Sequence, residues 1–204
     1  MAITNGYCTL AEARDQLGLV STDTEEDTPI EKVVEAVSRE IDKYTGQFFY
    51  DAGAQTRYYT SIDGTIIYTD PIQSVTSVTV DDDDDGTYDV TWATTGSSNR
   101  YRLRPVNNAL ESDADPYWQL YAVNDLWPTT DAAVKVAGSF GWATVPPAVQ
   151  ESCLIQTARL FVRRAAPFGI VEGQDAGMMS LRKGLDVEVR LLLDAFRRPN
   201  IWVA

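Results

Sequence analysis

The chain has 204 residues, of which 44% are hydrophobic and 23% charged, with 30 acidic against 17 basic side chains, a net charge of −13 and no histidine. That length suffices for one substantial domain, or for a core domain carrying a sizeable insertion. The missing histidines remove the commonest general base and the commonest transition-metal ligand, and the acidic balance opposes tight non-specific binding to a phosphate backbone. No apolar run approaches the ~18 residues that a membrane-spanning helix needs. The first residues, Met1 to Gly6, carry neither a basic nor an apolar region, so no signal peptide is expected. Cys8 and Cys153 form no metal-ligand pair and are expected as two free, largely buried thiols of a cytosolically made protein.

In chain order, Thr9-Leu10-Ala11-Glu12 reads as a capping box opening a short helix to about Leu17, closed by Gly18. Thr28-Pro29-Ile30-Glu31 reads as a second capping box with proline at the first helical position. Ile30, Val33, Val34, Val37, Ile41 and Tyr44 then form one apolar helical stripe that Gly46 ends. From Gln47 to Trp142 the periodicity becomes extended. Thr56–Thr60, Thr65–Tyr68, Ser74–Val80, Thr87–Trp92 and Tyr101–Arg104 are short β-prone runs between Gly, Asp, Asn and Pro. Ala133–Phe140 alternates most cleanly, with Val134, Val136 and Phe140 on one side. These spacings favour an antiparallel β module. Helical periodicity returns at Pro146-Pro147, runs through Val149, Cys153, Leu154 and Phe161, and stops at Pro167. Glycine-rich residues 165–184 read as irregular. Asp186 then reads as the N-cap of a last helix carrying Val189, Leu192, Leu193 and Phe196.

No constellation for catalysis emerges. Asp81 to Asp85 and Gly86 match the first half of a calcium loop, but the twelfth position, where a bidentate glutamate is needed, is Trp92, and the flanks are β-prone. A solvated hairpin turn is the expectation, with no metal and no cofactor. Phosphate-cradling glycine loops and the Gly-x-Ser-x-Gly nucleophile elbow are absent from the sequence. The many carboxylates show no spacing that singles out an acid and a base. Tyr58, Tyr59, Tyr68, Trp92, Tyr101, Tyr117 and Trp118 crowd the β region, for core and cross-strand packing or for a sugar- or partner-binding face. Charge is uneven: residues 159–204 hold eight basic and five acidic side chains, the remainder nine and 25. The tail Arg197-Arg198-Pro199-Asn200-Ile201-Trp202 joins cations to an aromatic, a combination enriched at interface hot spots.

Read together, several strings resemble, in order, the phage head–tail connector (adaptor) family in its longer form with a β insertion. They are Thr9-Leu10-Ala11-Glu12-Ala13, Tyr44-Thr45-Gly46-Gln47, Pro71-Ile72-Gln73-Ser74-Val75, Gly138-Ser139-Phe140-Gly141-Trp142, Val145-Pro146-Pro147-Ala148-Val149, Arg163-Arg164-Ala165-Ala166-Pro167-Phe168-Gly169 and Leu185-Asp186-Val187-Glu188. Residues 81–131 carry the least resemblance. The resemblance implies an α+β protein: a small helical bundle of about four helices (1–48 and 143–204) with an antiparallel β-rich insertion (49–142) between the second and third helices. It further implies a non-enzymatic virion protein of the neck, made in the host cytoplasm. Its copies form a ring, expected to be twelvefold, under the portal protein. That ring extends the channel through which genomic DNA passes without specific binding, and it docks the stopper or tail-terminator. No membrane is involved. Arg197, Arg198, Ile201 and Trp202 are the candidate portal contact. The alternative is a virion carbohydrate- or receptor-binding module using the aromatic β region.

Overall fold

The structure, a computed structural model, describes residues 3–19, 24–108, 115–165, 170–173, 177–180 and 184–198. The chain divides into two compact units, one from Met1–Tyr50 and Val145–Asn200, the other built on Asp51–Thr144.

Helices make the first unit. In α1 (Leu10–Gln16), Thr9 Oγ1 accepts from the Glu12 amide at 3.2 Å while Glu12 Oε2 accepts from the Thr9 amide at 2.7 Å. This is the reciprocal capping box that the Thr-x-x-Glu spacing predicts. α2 (Asp27–Thr45) starts earlier than its sequence suggests: Glu26 is the N-cap without a side-chain cap bond, so the box at Thr28–Glu31 does not form. Arg14, from α1, binds Asp27 at 2.5 Å and fixes the first residue of α2 through a tertiary contact that no local pattern announces. Ile30, Val34, Val37 and Ile41 are fully buried, and Gly46 ends the helix at φ 72°. α3 (Pro147–Ala165) packs against α1, α2 and the short α4 (Val187–Leu193). Asp186 Oδ1 accepts from the Glu188 amide at 3.0 Å, capping α4 as expected, and a 3-10 turn follows over Asp194–Phe196. Cys8 and Cys153 are buried and free, their sulfurs 3.3 Å apart. Beside them the Tyr7 hydroxyl donates to the Asp42 carboxylate and accepts from the Phe49 amide.

The second unit is a six-stranded antiparallel sheet: β1 (Asp51–Tyr59), β2 (Ile66–Val80), β3 (Val90–Trp92), β4 (Tyr101–Arg104), β5 (Tyr117–Ala122) and β6 (Val134–Gly141). Their order is β1-β6-β2-β5-β4, so β1 and β4 end this path, and β3 pairs with β2 off it. β1 enters through a register shift between Asp51 and Gly53, where Gly53 has φ 68°. Ile67, Ile72, Val78, Leu120, Val134, Val136 and Phe140 are fully buried, and Trp92 stacks on Trp127 with ring centroids 3.8 Å apart. Beyond this sheet, β7 (Ile170–Gly173) pairs antiparallel with β8 (Gly177–Ser180), within a stretch expected to be irregular.

The expected small helical bundle with a β-rich insertion between its second and third helices is therefore corrected. Among the described residues there are four α-helices, but α1 and α4 have seven residues each against 19 each in α2 and α3. Strands dominate the central region and close their own core. The sequence misleads here because Asp70-Pro71 looks like a strand break. Instead β2 runs 15 residues through it, and a register shift between Tyr68 and Ile72 accommodates the proline that cannot donate to a ladder.

Gly138 of β6 lies so close to β2 that a Cβ there would overlap the Ser74 carbonyl oxygen. Gly138→Ala should lower stability by about 1–3 kcal/mol in urea denaturation. A second expectation concerns alkali. Burial first, then the Asp42 carboxylate, raises the Tyr7 hydroxyl, and burial with Asp70 raises Tyr59. Unfolded tyrosines ionise near pH ~10 while these two stay protonated, so their stabilisation is full below that pH and is lost as pH rises beyond it. Tyr7→Phe with Tyr59→Phe should flatten the loss of stability between pH 9 and 11.5.

Candidate partner-binding surface

Val189 and Leu193 of α4 are fully buried, whereas Val187 and Leu191, four apart on its other side, are 49% and 69% exposed. After Leu193 the chain turns and lies on the C-terminal end of α2. Each step of that descent is held. Tyr44 Oη donates to Asp194 Oδ1 at 2.7 Å, a bond that raises the hydroxyl's pKa. Gln47 Nε2 donates to the Phe196 carbonyl at 2.6 Å, and the Phe196 ring meets buried Phe49 edge-on at 5.6 Å. Arg197 places its guanidinium 5.2 Å above the Tyr44 ring and 3.9 Å from the Asp194 carboxylate. The Arg198 amide donates to the Thr45 carbonyl at 2.9 Å, satisfying one of the orphan acceptors that end every helix.

Two of the four residues expected to meet a partner, Arg197 and Arg198, are thus brought together at the negative pole of the α2 dipole, where cations are stabilised. Ile201 and Trp202 lie outside the described residues. Of Tyr44, Gln47 and Phe49, which seat the segment, Tyr44 lies on the α2 stripe and Tyr44 and Gln47 fall in a string that carries the resemblance, but nothing in the sequence marks any of the three as a seat for the tail.

Other sequence candidates resolve as follows. Asp81, Asp83 and Asp85 can each bring one carboxylate oxygen within 4.8 Å of the others. Both Asp81 oxygens, however, already accept backbone amides, from Asp85 at 3.2 Å and Gly86 at 2.9 Å. Trp92, at the position a calcium loop gives to glutamate, is buried in the sheet core. The run is a turn joining β2 to β3. Of the aromatic set, Tyr59, Trp92 and Tyr101 are core residues. Tyr58 is exposed and leans on Tyr88, and Tyr68 stacks with Trp118 at 6.2 Å. No described helix is long and apolar enough to cross a membrane.

No family model and no curated protein matches the chain. Among solved structures, the fold is similar to a chain in the neck of an empty GTA (gene transfer agent) particle computed with C6 symmetry. The TM-score is 0.58 at 18% identity, covering 100% of this chain and 96% of that one. It is also similar to a chain in the neck of a native GTA particle computed with C12 symmetry, with TM-score 0.57, 16% identity and the same coverage, 100% and 96%.

If the Phe196 ring seats the C-terminal segment, Phe196→Ala should cost about 2 kcal/mol, roughly half the core value for such a truncation. Cleavage by trypsin after Arg197 should accelerate at the same time, read by mass spectrometry, while the Arg198–Pro199 bond resists it.

Proposed function

We propose that the chain is a structural subunit of a virion neck: a head–tail connector, or adaptor, whose copies close into a ring under the portal. In this reading the ring extends the DNA channel, docks the stopper or tail-terminator, and catalyses nothing. The observation that carries it is the likeness of fold over the whole chain to chains of GTA particle necks, one computed with C6 and one with C12 symmetry. The ordered resemblance of strings from Thr9 to Glu188 points the same way. Twelve copies are the expected number.

Mechanistically, such a subunit works by surface complementarity. Side-to-side contacts between unlike faces close when the rotation between copies divides the circle, and contacts too weak for free subunits become effective once the portal holds many copies together. The net charge of −13 repels the passing duplex, letting the genome slide without sticking. The portal-facing element is the C-terminal segment. Phe196, Gln47 and Tyr44 fix its root, while the Arg197 side chain stays 58% exposed and available to a partner. Arg198, Ile201 and Trp202 complete the contact. The protein is made in the host cytoplasm and ends in the neck.

Co-sedimentation with portal-bearing heads tests this. Wild-type chain should bind. A chain lacking 199–204 and carrying Arg197→Gln and Arg198→Gln should bind at least about tenfold more weakly while still unfolding in one cooperative transition. Undiminished binding by that variant would refute the portal-facing assignment. A wild type that ignores heads but binds a glycan array would replace the connector with the carbohydrate-binding alternative.

A further inference from the structure

The outward face of the β5–β4 end of the sheet has an unusual composition for this acidic chain. Cross-strand registers place Ile66, Tyr121 and Arg102 in one row and Tyr68, Gln119 and Arg104 in the next, while the alternate row, Ile67, Leu120 and Leu103, faces the core. Three of the five basic residues between 51 and 144 fall at Arg100, Arg102 and Arg104. Arg57, by contrast, is already bound to Asp70 at 2.6 Å. Among the described residues neither Arg102 nor Arg104 has a carboxylate partner. Arg102 is exposed, and the Arg104 guanidinium carbon sits over Tyr121, 3.8 Å from the ring centroid. A guanidinium so placed still offers N–H donors to a carboxylate.

The opposite charge stands at the other end of the same strand. β2 begins at Ile66, beside the arginine rows, and ends at Val80, where the aspartate turn begins. Asp81 clamps that turn through its two amide bonds, leaving Asp82 and Asp83 exposed, with the Asp83 carboxylate also accepting from the Asp85 amide. Repulsion, chiefly from Asp85, raises the Asp83 carboxyl pKa, a strain that a cationic partner relieves. The 15 residues of β2 separate the two features by about 40 Å, so they cannot meet within one chain.

We propose that the Arg102/Arg104 face of one subunit receives the Asp82–Asp83 turn of a second copy, a head-to-tail contact between unlike surfaces. This rests on the ring-forming reading above and names its contact. Since each copy offers both halves, the contact repeats from subunit to subunit, as ring closure requires. Because it joins exposed charges, it weakens with salt.

Sedimentation velocity of the full chain, up to millimolar concentration and at 50 and 500 mM salt, tests it. Arg102→Glu with Arg104→Glu, and separately Asp82→Lys with Asp83→Lys, should each weaken association at low salt by at least about tenfold. Combining all four substitutions in one chain should restore it, with melting curves unchanged throughout. Wild-type association that neither pair affects, or a four-fold variant no better than either pair, would overturn this contact while leaving the ring intact. A wild type monomeric under every condition, with or without portal, would remove both. Duplex DNA binding lost in the arginine variant, with association untouched, would make the face a nucleic-acid site and overturn the proposal.

Discussion

The second unit depends on the continuity of β2. Three strands, β3, β5 and β6, pair with that one fifteen-residue segment, and β1 and β4 attach only through β6 and β5. Its continuity rests on the register shift at Tyr68–Ile72. If the chain broke at Asp70-Pro71, the first part of β2 with β5 and β4 and the second part with β6, β1 and β3 would become two separate small sheets, and the core they share would be split. A proline at a bulge sacrifices one ladder bond and preserves the pleat on both sides, so Ile67 and Ile72 remain in the same core. Gly138 supplies the complementary condition from β6, a bare α-carbon where the two backbones come closest.

Local signals were read well wherever the physics was local. The Thr9–Glu12 box, the α2 stripe, Gly46, β4 at Tyr101–Arg104 and the Asp186 cap all follow from residues within one or two turns of each other. The failures share a cause in distance. α2 begins at Asp27 because Arg14 reaches it from 13 positions away, overriding the better-looking Thr28 cap. β5 was invisible as a strand because only Leu120 and Ala122 of its six residues are buried, and half-exposed aromatics blur the alternation. The balance of helix and sheet is hidden for the same reason, since short runs cannot announce that they will join.

The candidate surface was half legible. Arg197 and Arg198 stand out by composition, yet what seats them, Tyr44, Gln47 and Phe49, lies about 150 residues upstream. Their contacts also show why a terminal segment need not fray. The end of a helix lacks partners for its last carbonyls, and a segment arriving from elsewhere in the chain supplies one through the Arg198 amide while its side chains meet the favourable pole. The end of α2 and residues 196–198 thereby become one piece of structure.

The two strands that end the sheet's path have one more implication. A protein made in many copies inside a crowded cell is at risk of strand addition, in which one molecule's open border templates the next and the product grows into a fibre. Here β1 opens with the irregularity at Asp51–Gly53 and carries the charge of Arg57 along its length, while β4 is four residues long and is followed by Pro105, which has no N–H to offer. Neither border presents a long, flat, apolar ladder. Molecules of this chain are thus steered away from open-ended backbone polymerisation, leaving their side chains to decide how they meet.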